Sequence, residues 1–263
     1  PNESLASVGG VINTNAGGAR SFRYGSVRRH VLALQVTFMD GTTREIRRGE
    51  RVDFPVPALR RPNTTKNSAG YFMEPDVEWV QLLSGSEGTL GIVTEAEVQL
   101  LPEPPGLLSG VVFFRSDEAA LDAVDAWRSV PKLRLLEYLD NMSLRLLETR
   151  HESVPAAAQA ALLIEQDLSS DSDAELDAWA ERLSETGALD EESWFGLTPA
   201  DWERFRELRH TLPVTVIDRV RRNGFRKFST DFAVPLDRSR DMLAYYRKLG
   251  DQIFPGQYLI FGH

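Results

Sequence analysis

Two stretches of the chain remove side chains where a soluble domain ordinarily keeps them. "SVGGVINTNAGGARSFRYG" (residues 7–25) holds five glycines, two asparagines and a threonine, and "LLSGSEGTLGIVTEAEVQL" (residues 82–100) sets Gly85, Gly88 and Gly91 at every third position. Bare backbone of this kind suits one sort of chemistry. Its N–H groups can meet the carbonyl and phosphate oxygens of a flat, polar ligand with no Cβ in the way. Neither stretch has the G-x-G-x-x-G spacing of a dinucleotide-binding turn, nor the lysine of a phosphate-binding P-loop. Taken singly, each reads as a structural turn; two such loops in one region read as the lining of a cofactor site.

Other side chains offer less chemistry. With no cysteine in the sequence, disulfides, thiolate metal sites, cysteine nucleophiles and a cysteinyl–flavin bond are excluded. Four histidines remain: His30 opening a strand, His151 at a helix end, His210 beside Arg209, and His263 as the last residue. By type and position alone each reads as structural or solvated. The basic run "RVRRNGFRK" (residues 219–227) reads as a solvated face around a loop, with the capacity to attract an anion.

The elements that must position these residues fall into two regions. In the first, "HVLALQVTFMDGTTREIRRG" (residues 30–49) predicts two strands, 31–39 and 43–47, joined at Asp40-Gly41, a strong hairpin signal. "GIVTEAEVQLLP" (residues 91–102) alternates apolar and polar residues and predicts a half-buried strand. "LLPEPPGLLSG" (residues 100–110), with three prolines and two glycines, reads as a boundary. Beyond it strands and helices alternate: the strand "LLSGVVFFR", a helix over 116–130 capped by Ser116, the strand "LRLLEYL", the helix "DNMSLRLLETR", the strand "AALLIEQDL", and an amphipathic helix stopping at Gly187. A long helix from "TPADWERFRELRHTLP" is expected to break or kink at Pro213. "LDRSRDMLAYYRKLG" predicts the last helix and "YLIFG" the last strand. This is an α+β fold with helices expected on one face of a sheet.

Composition sets the outer bounds. The 263 residues carry 39 acidic against 30 basic side chains, a net charge of −9. Residues 1–105 hold 12 acidic and 11 basic groups, so −8 of the −9 lies in the second region. An acidic chain argues against nucleic acid as a main partner. No run approaches the ~18–20 apolar residues of a membrane span, and a reducing, cytoplasmic location is expected.

Together, "SVGGVINTNAGGARSFRYG", "VLALQVTFMDG" and "GSEGTLGIVTEAEVQLLPEPP" resemble the FAD-linked oxidases and dehydrogenases of the vanillyl-alcohol oxidase and para-cresol methylhydroxylase superfamily, nearest the D-lactate, glycolate and D-2-hydroxyglutarate dehydrogenases. The resemblance implies the second half of a PCMH-type FAD-binding domain over residues 1–104, followed by an antiparallel sheet-plus-helices cap over 105–263. It implies FAD held by Ser7, Gly9, Gly10, Thr14, Asn15, Gly17 and Gly18 around the isoalloxazine and ribityl region, and by Glu87, Gly88, Gly91 and Ile92 along the rest of the cofactor.

"FRELRHTLP" (residues 205–213) resembles the family helix whose arginine meets the substrate carboxylate, and Arg209 occupies that place; a guanidinium grips a carboxylate with two parallel hydrogen bonds. "KFSTDFAVP" (residues 227–235) departs from relatives that carry a substrate lysine two residues before the aspartate: Ser229 stands there, and Lys227 lies four before it. "YLIFGH" resembles the opening of a histidine motif that supplies a metal ligand and a catalytic base in several members, so His263 is expected in both roles, with zinc or manganese as the metal. The resemblance further implies a chain truncated at both ends, which by itself is expected to be inactive. The activity implied for the parent is oxidation of a D-2-hydroxy acid by hydride transfer to flavin N5. A phenol or alcohol oxidase of the same superfamily, a non-catalytic flavin-binding subunit, and a structural module without cofactor stand as alternatives. Expected partners are the small-molecule acid, an unspecified electron acceptor and a second copy of the chain in a homodimer.

Overall fold

A computed structural model describes residues 6–149 and 154–263, so His151 and its expected helix end lie outside the described residues. The chain divides into two units: the first reaches to Pro102 and takes in Ala233–Leu236, the second spans Glu103–Phe232 and Asp237–His263.

In the first unit the Asp40-Gly41 turn does what its residue types allow. Gly41 sits at φ +83°, and Asp40 Oδ1 accepts hydrogen bonds from Thr42 N and Oγ1 at 2.9 and 2.7 Å. Strand β1 (Val31–Thr37) thereby folds back on β2 (Thr43–Arg47), with Thr37 opposite Thr43. The expected strand over 31–39 stops at Thr37 because Phe38 already belongs to the turn, its N–H donating to Thr42 O at 2.8 Å. Strand β3 (Ile92–Val98) pairs antiparallel with the other edge of β1, giving the order β2-β1-β3.

Short helices α1 (Val8–Asn13), α2 (Ser21–Tyr24) and α3 (Trp79–Leu83) complete this unit. Its core gathers Ile12 of α1, Leu34 and Val36 of β1, Ile46 of β2 and Leu83 of α3. The core centres on β1, and β3 is largely exposed where its alternation predicts half-burial. It is an edge strand, paired on one side only among the described residues, and period-2 patterning reports which residues share a face without reporting whether anything covers that face.

The second unit is a five-stranded antiparallel sheet in the order β7-β4-β6-β5-β8. Its strands are β4 (Gly106–Phe114), β5 (Leu133–Asp140), β6 (Ala160–Leu168), β7 (Trp194–Gly196) and the short β8 (Phe261–Gly262), the last briefer than the expected "YLIFG". Helices α4 (Asp117–Trp127), α5 (Asn141–Glu148), α6 (Asp173–Glu185), α7 (Pro199–Arg222) and α8 (Ser239–Ile253) connect them. Their starts are written locally. Ser116 Oγ accepts from Ala119 N at 3.1 Å, Asp140 Oδ1 from Ser143 N at 2.8 Å, and Thr198 and Asp201 form a reciprocal capping box ahead of Pro199.

The helices cover both faces of this sheet, not one. Adjacent strand residues point to opposite sides: Glu137 meets Arg209 of α7, while its neighbour Tyr138 meets Asp117 of α4 and Arg247 of α8. Trp127 of α4 packs edge-on against Trp179 of α6 at 5.1 Å, which puts α6 with α4 and α8. Burial on both sides explains why β4, β5 and β6 read as nearly continuous apolar runs. Helix α7 also runs unbroken through Pro213. A proline lacks the N–H that would bond to the carbonyl four residues back, here that of Arg209, and packing of Leu208, Leu212 and Thr215 into the unit holds the helix across the lost bond. At about 1.5 Å per residue α7 is ~36 Å long, against ~19 Å across five strands. Its last turn, past Asp218, is accordingly largely exposed.

Candidate functional site

The two glycine stretches, distant in sequence, are stitched together in the first unit. Gly85 N donates to Ile12 O at 3.0 Å and Glu87 N to Asn13 O at 2.8 Å. Asn15, buried and at φ +46°, turns the chain out of α1 and accepts Arg28 N on its Oδ1 at 3.0 Å. Arg28 reaches across to the second stretch, donating from Nη2 and Nε to Ser84 O at 2.7 and 3.2 Å, and lies 4.6 Å over the Phe72 ring. Burial, and then the charge of Arg61, pulls its pKa down to about 10, which leaves it charged at neutral pH. A Cβ on Gly85 would meet Asn15 Cβ at 3.0 Å and Arg28 Nη2 at 3.1 Å, and Gly85 sits at φ +91°.

The remaining candidate residues divide by what occupies the space a side chain would take. At Gly9 and Gly88 a Cβ would have nothing within 4 Å, so bare backbone opens onto space there. Gly88 (φ +76°) and Glu87 (φ +54°) form the left-handed turn of the second loop. At Gly10 and Gly17 a Cβ would meet the hydroxyls of Ser7 and Ser21, each at 3.0 Å. Those hydroxyls are in use: Ser7 Oγ accepts Gly10 N at 3.1 Å as the N-cap of α1, and Ser21 Oγ accepts Gly18 N at 2.8 Å. Thr14 Oγ1 donates back to Gly10 O at 2.9 Å. Gly91 answers to the fold, since a Cβ there would strike Val36 Cγ1 at 2.7 Å and Thr37 O at 3.1 Å. Ile92, the first residue of β3, is exposed.

Two polar atoms near the stitch are buried without a hydrogen-bond partner among the described residues: Asn13 Oδ1 and Ser86 Oγ. Buried polar atoms are ordinarily satisfied, and an orphan calls for a partner. Open backbone at Gly9 and Gly88 beside two orphaned polar atoms fits a ligand with both donors and acceptors, as a flavin nucleotide is. Arg28, Asn13 and Ser86 were not legible as site residues. Their types are common, and only the pairing of the two loops makes them neighbours.

In the second unit Arg209, on α7, donates from Nε to Glu137 Oε2 at 2.5 Å. The Glu137 side chain is 2% exposed and that of Arg209 22%. They border a small recess lined also by Leu139, Leu147, Leu208, Leu212, Pro213 and Phe261. The contact engages Nε, which leaves the paired terminal nitrogens, the end of the fork that matches a carboxylate, for another partner. His263 follows β8. The short β8 sets Leu139 against Phe261 and Tyr138 against Gly262, and His263 beyond it is exposed. Glu137 also escaped the sequence analysis; its one signal is a lone acid inside the apolar run "LRLLEYL". Among the described residues no group of three histidine or carboxylate side chains could hold a metal ion. These residues therefore do not by themselves make the expected zinc or manganese site, and no step below passes through one.

The opposite face of β5 carries a second charged cluster. Arg247 donates to Asp117 Oδ2 at 2.5 Å, Tyr138 Oη donates to Asp117 Oδ1 at 2.5 Å, and Arg247 Nη1 lies 3.7 Å from the fully buried Asp140. Burial, then the Asp117 hydrogen bond and charge, pushes the Tyr138 hydroxyl far above its ordinary range. This cluster ties α4 and α8 to the sheet and stands apart from Arg209.

The chain therefore presents a loop-rich lobe with glycine-lined backbone and a sheet-and-helix lobe with a half-buried arginine. Comparison with known proteins defines the class. Residues 105–263 match the family described as FAD linked oxidases, C-terminal domain, and residues 2–47 match an FAD binding domain. The chain belongs to the FAD-linked oxidase family. It is 32% identical over 225 residues to glycolate oxidase subunit GlcD of Bacillus subtilis, covering 81% of this chain and 43% of that one. It is 29% identical to a probable mitochondrial D-lactate dehydrogenase of Danio rerio (89% and 43%) and 29% identical to the mitochondrial D-2-hydroxyglutarate dehydrogenase of Bos taurus (91% and 40%). The chain thus spans less than half the length of these relatives. Among solved structures, an alkyldihydroxyacetonephosphate synthase shares the fold at a TM-score of 0.50 and 18% identity, over 73% of this chain and 33% of that one. No helix among the described residues is long and apolar enough to cross a membrane.

Proposed function

We propose that the protein containing this chain is an FAD-dependent oxidoreductase that oxidises a D-2-hydroxy acid of the lactate, glycolate or 2-hydroxyglutarate type. The observation that carries this reading is Arg209: a guanidinium held through Nε by a buried acid at an apolar recess, with no other hydrogen bond to its terminal nitrogens among the described residues. Arginine matches a carboxylate in shape and charge, and the names of the relatives point to the same class of substrate.

In this reading the loops of the first unit hold the cofactor. Backbone N–H groups around Ser7, Gly9, Gly10, Thr14, Asn15, Gly17 and Gly18, and around Glu87, Gly88, Gly91 and Ile92, meet its polar atoms, and the Arg28 bridge keeps the two loops at fixed spacing. Bound FAD supplies an acceptor for the hydride that leaves C2 of the substrate. Arg209 takes the substrate carboxylate and so limits the orientations C2 can adopt. The apolar side chains around it exclude water and strengthen the ion pair. His263, the residue after β8, is the candidate base for the hydroxyl proton. The electron acceptor and a homodimeric state complete the proposal.

The test uses the full-length protein under anaerobic conditions, with D-lactate, glycolate and D-2-hydroxyglutarate added in turn. Bleaching of the flavin absorbance by one of them is the expected result. Arg209→Met should lower kcat/KM for that acid by about 100-fold or more, the order of a lost buried charge pair. A variant that oxidises the acid at the wild-type rate would remove Arg209 from the mechanism.

A further inference from the structure

The Arg209–Glu137 contact raises a physical question, and its answer rests on the reading of Arg209 above. A carboxylate 2% exposed costs several kcal/mol to desolvate unless it is paired. Glu137 lies on β5 with Leu135 and Leu139 two positions to either side of it, on a strand buried over almost its whole length. A leucine at 137 would extend the same apolar surface as Leu139 and Leu147. A buried ion pair is weak evidence of stabilisation, since a well-packed apolar residue often serves as well. What the acid provides that leucine cannot is a fixed acceptor for one particular nitrogen of Arg209.

The local backbone sharpens this. Arg209 lies one turn before Pro213, which donates no hydrogen bond to the Arg209 carbonyl. The arginine therefore sits where α7 is least restrained by its own ladder. Its long side chain has four flexible torsions and about 2 kcal/mol of rotamer entropy to lose on being ordered. Glu137 comes from β5, paired through the Glu137–Leu163 register with β6, the central strand of the sheet. The buried strand thus supplies a fixed acceptor for a side chain that the helix backbone does not itself order.

We infer that Glu137 is a positioning residue for Arg209. By accepting Nε it orders the guanidinium in advance, with the two terminal nitrogens presented together, so that the ordering cost is met before substrate arrives. Glu137 does not touch the substrate in this account; it acts through Arg209 alone. The pair is neutral as a unit, so the recess carries no uncompensated charge until an anion enters, and an anion whose carboxylate can use both terminal nitrogens is preferred over one that can use a single bond.

The experiment is a double-mutant cycle in the full-length protein, reading KM and kcat for whichever of the three acids bleaches the flavin, with flavin content and thermal midpoint as controls for folding. Glu137→Leu should raise KM by about 10- to 100-fold, as misplacing a binding group does. Glu137→Gln, which keeps an acceptor for Nε, should recover most of that loss. In the Arg209→Met background, Glu137→Leu should add less than about twofold, because residues acting through one another are not additive. Independent, multiplying effects would overturn the inference, since Glu137 would then act without Arg209. So would a raised KM in Arg209→Met with an unchanged KM in Glu137→Leu, and in that case the carboxylate-binding role of Arg209 would stand. An unchanged KM in Arg209→Met would sink that role and this inference together. If Glu137→Leu loses its flavin or its folding transition, the cycle is run with Glu137→Asp, which keeps the charge but draws the acceptor back from Nε by one methylene. A KM rise that vanishes in the Arg209→Met background then supports the inference, and one that persists there overturns it.

Discussion

In the first unit the candidate residues meet through the main chain: Gly85 N on Ile12 O, Glu87 N on Asn13 O, and an asparagine holding a backbone N–H. In the second, the candidate residue is held by another side chain, Glu137 on Arg209, over a sheet buried on both faces. On the proposed function, the difference follows from what each unit would grip. A flat cofactor with many small polar atoms suits a wall of N–H groups. A small acid offers one strong handle, its carboxylate, which a single well-aimed arginine takes. The first kind of site consumes glycines and buries little; the second consumes buried charge and needs a rigid scaffold to carry it.

Three substitutions sharpen or break this contrast. The largest effect is expected at Gly85, where the loops touch. Gly85→Ala forces a Cβ against Asn15 Cβ at 3.0 Å in a left-handed backbone. It should destabilise the first unit by about 2 kcal/mol, with flavin content falling in parallel; a thermal melt and the visible spectrum of the purified full-length protein check both. Wild-type stability and flavin content would mean that the stitch is not what orders the loops.

Next comes Gly9, inside α1 with open space where its Cβ would lie. Gly9→Ala should stabilise the flavin-free protein by roughly 0.5–1 kcal/mol, the ordinary gain for a helical glycine. If that open space belongs to the cofactor, the same variant should bind FAD more weakly in a titration. Stabilisation without loss of affinity would make Gly9 an ordinary helix residue with no part in the cofactor site.

The smallest effect is a change of slope at Asp140. Burial, partly offset by hydrogen bonds from Ser143 and the charge of Arg247, raises its pKa above the ordinary carboxylate value. The folded state therefore binds this proton more tightly than the unfolded chain. Between the ordinary and the raised value stability falls as pH rises, and it is regained on acidification. Asp140→Asn keeps an acceptor for Ser143 N and should flatten that part of the stability–pH curve; an unchanged slope would mean that another group carries it.

How much of this was legible in the sequence varies by element. The Asp40-Gly41 hairpin, the Ser116 cap and the stop at Gly187 were readable because each depends on a few neighbouring residues whose types restrict φ or supply a local acceptor. The break allowed for at Pro213 does not occur, because the proline's penalty is local while the packing of Leu208 and Leu212 that outweighs it is not. The exposure of β3 and the two-sided cover of β4, β5 and β6 were hidden for a related reason. Period-2 patterning and apolar runs describe one strand at a time, and cover is a property of what else arrives.

The same division runs through the sites. Composition and glycine spacing were enough to determine that backbone would be laid bare at residues 7–25 and 82–91, because removing a Cβ is written in the residue itself. That Gly9 and Gly88 open onto space while Gly91 only admits Val36, that Arg28 bridges the loops, and that Glu137 meets Arg209 were decided by tertiary structure alone. Each is a contact between residues far apart in the chain, where residue type permits many partners and only the fold selects one.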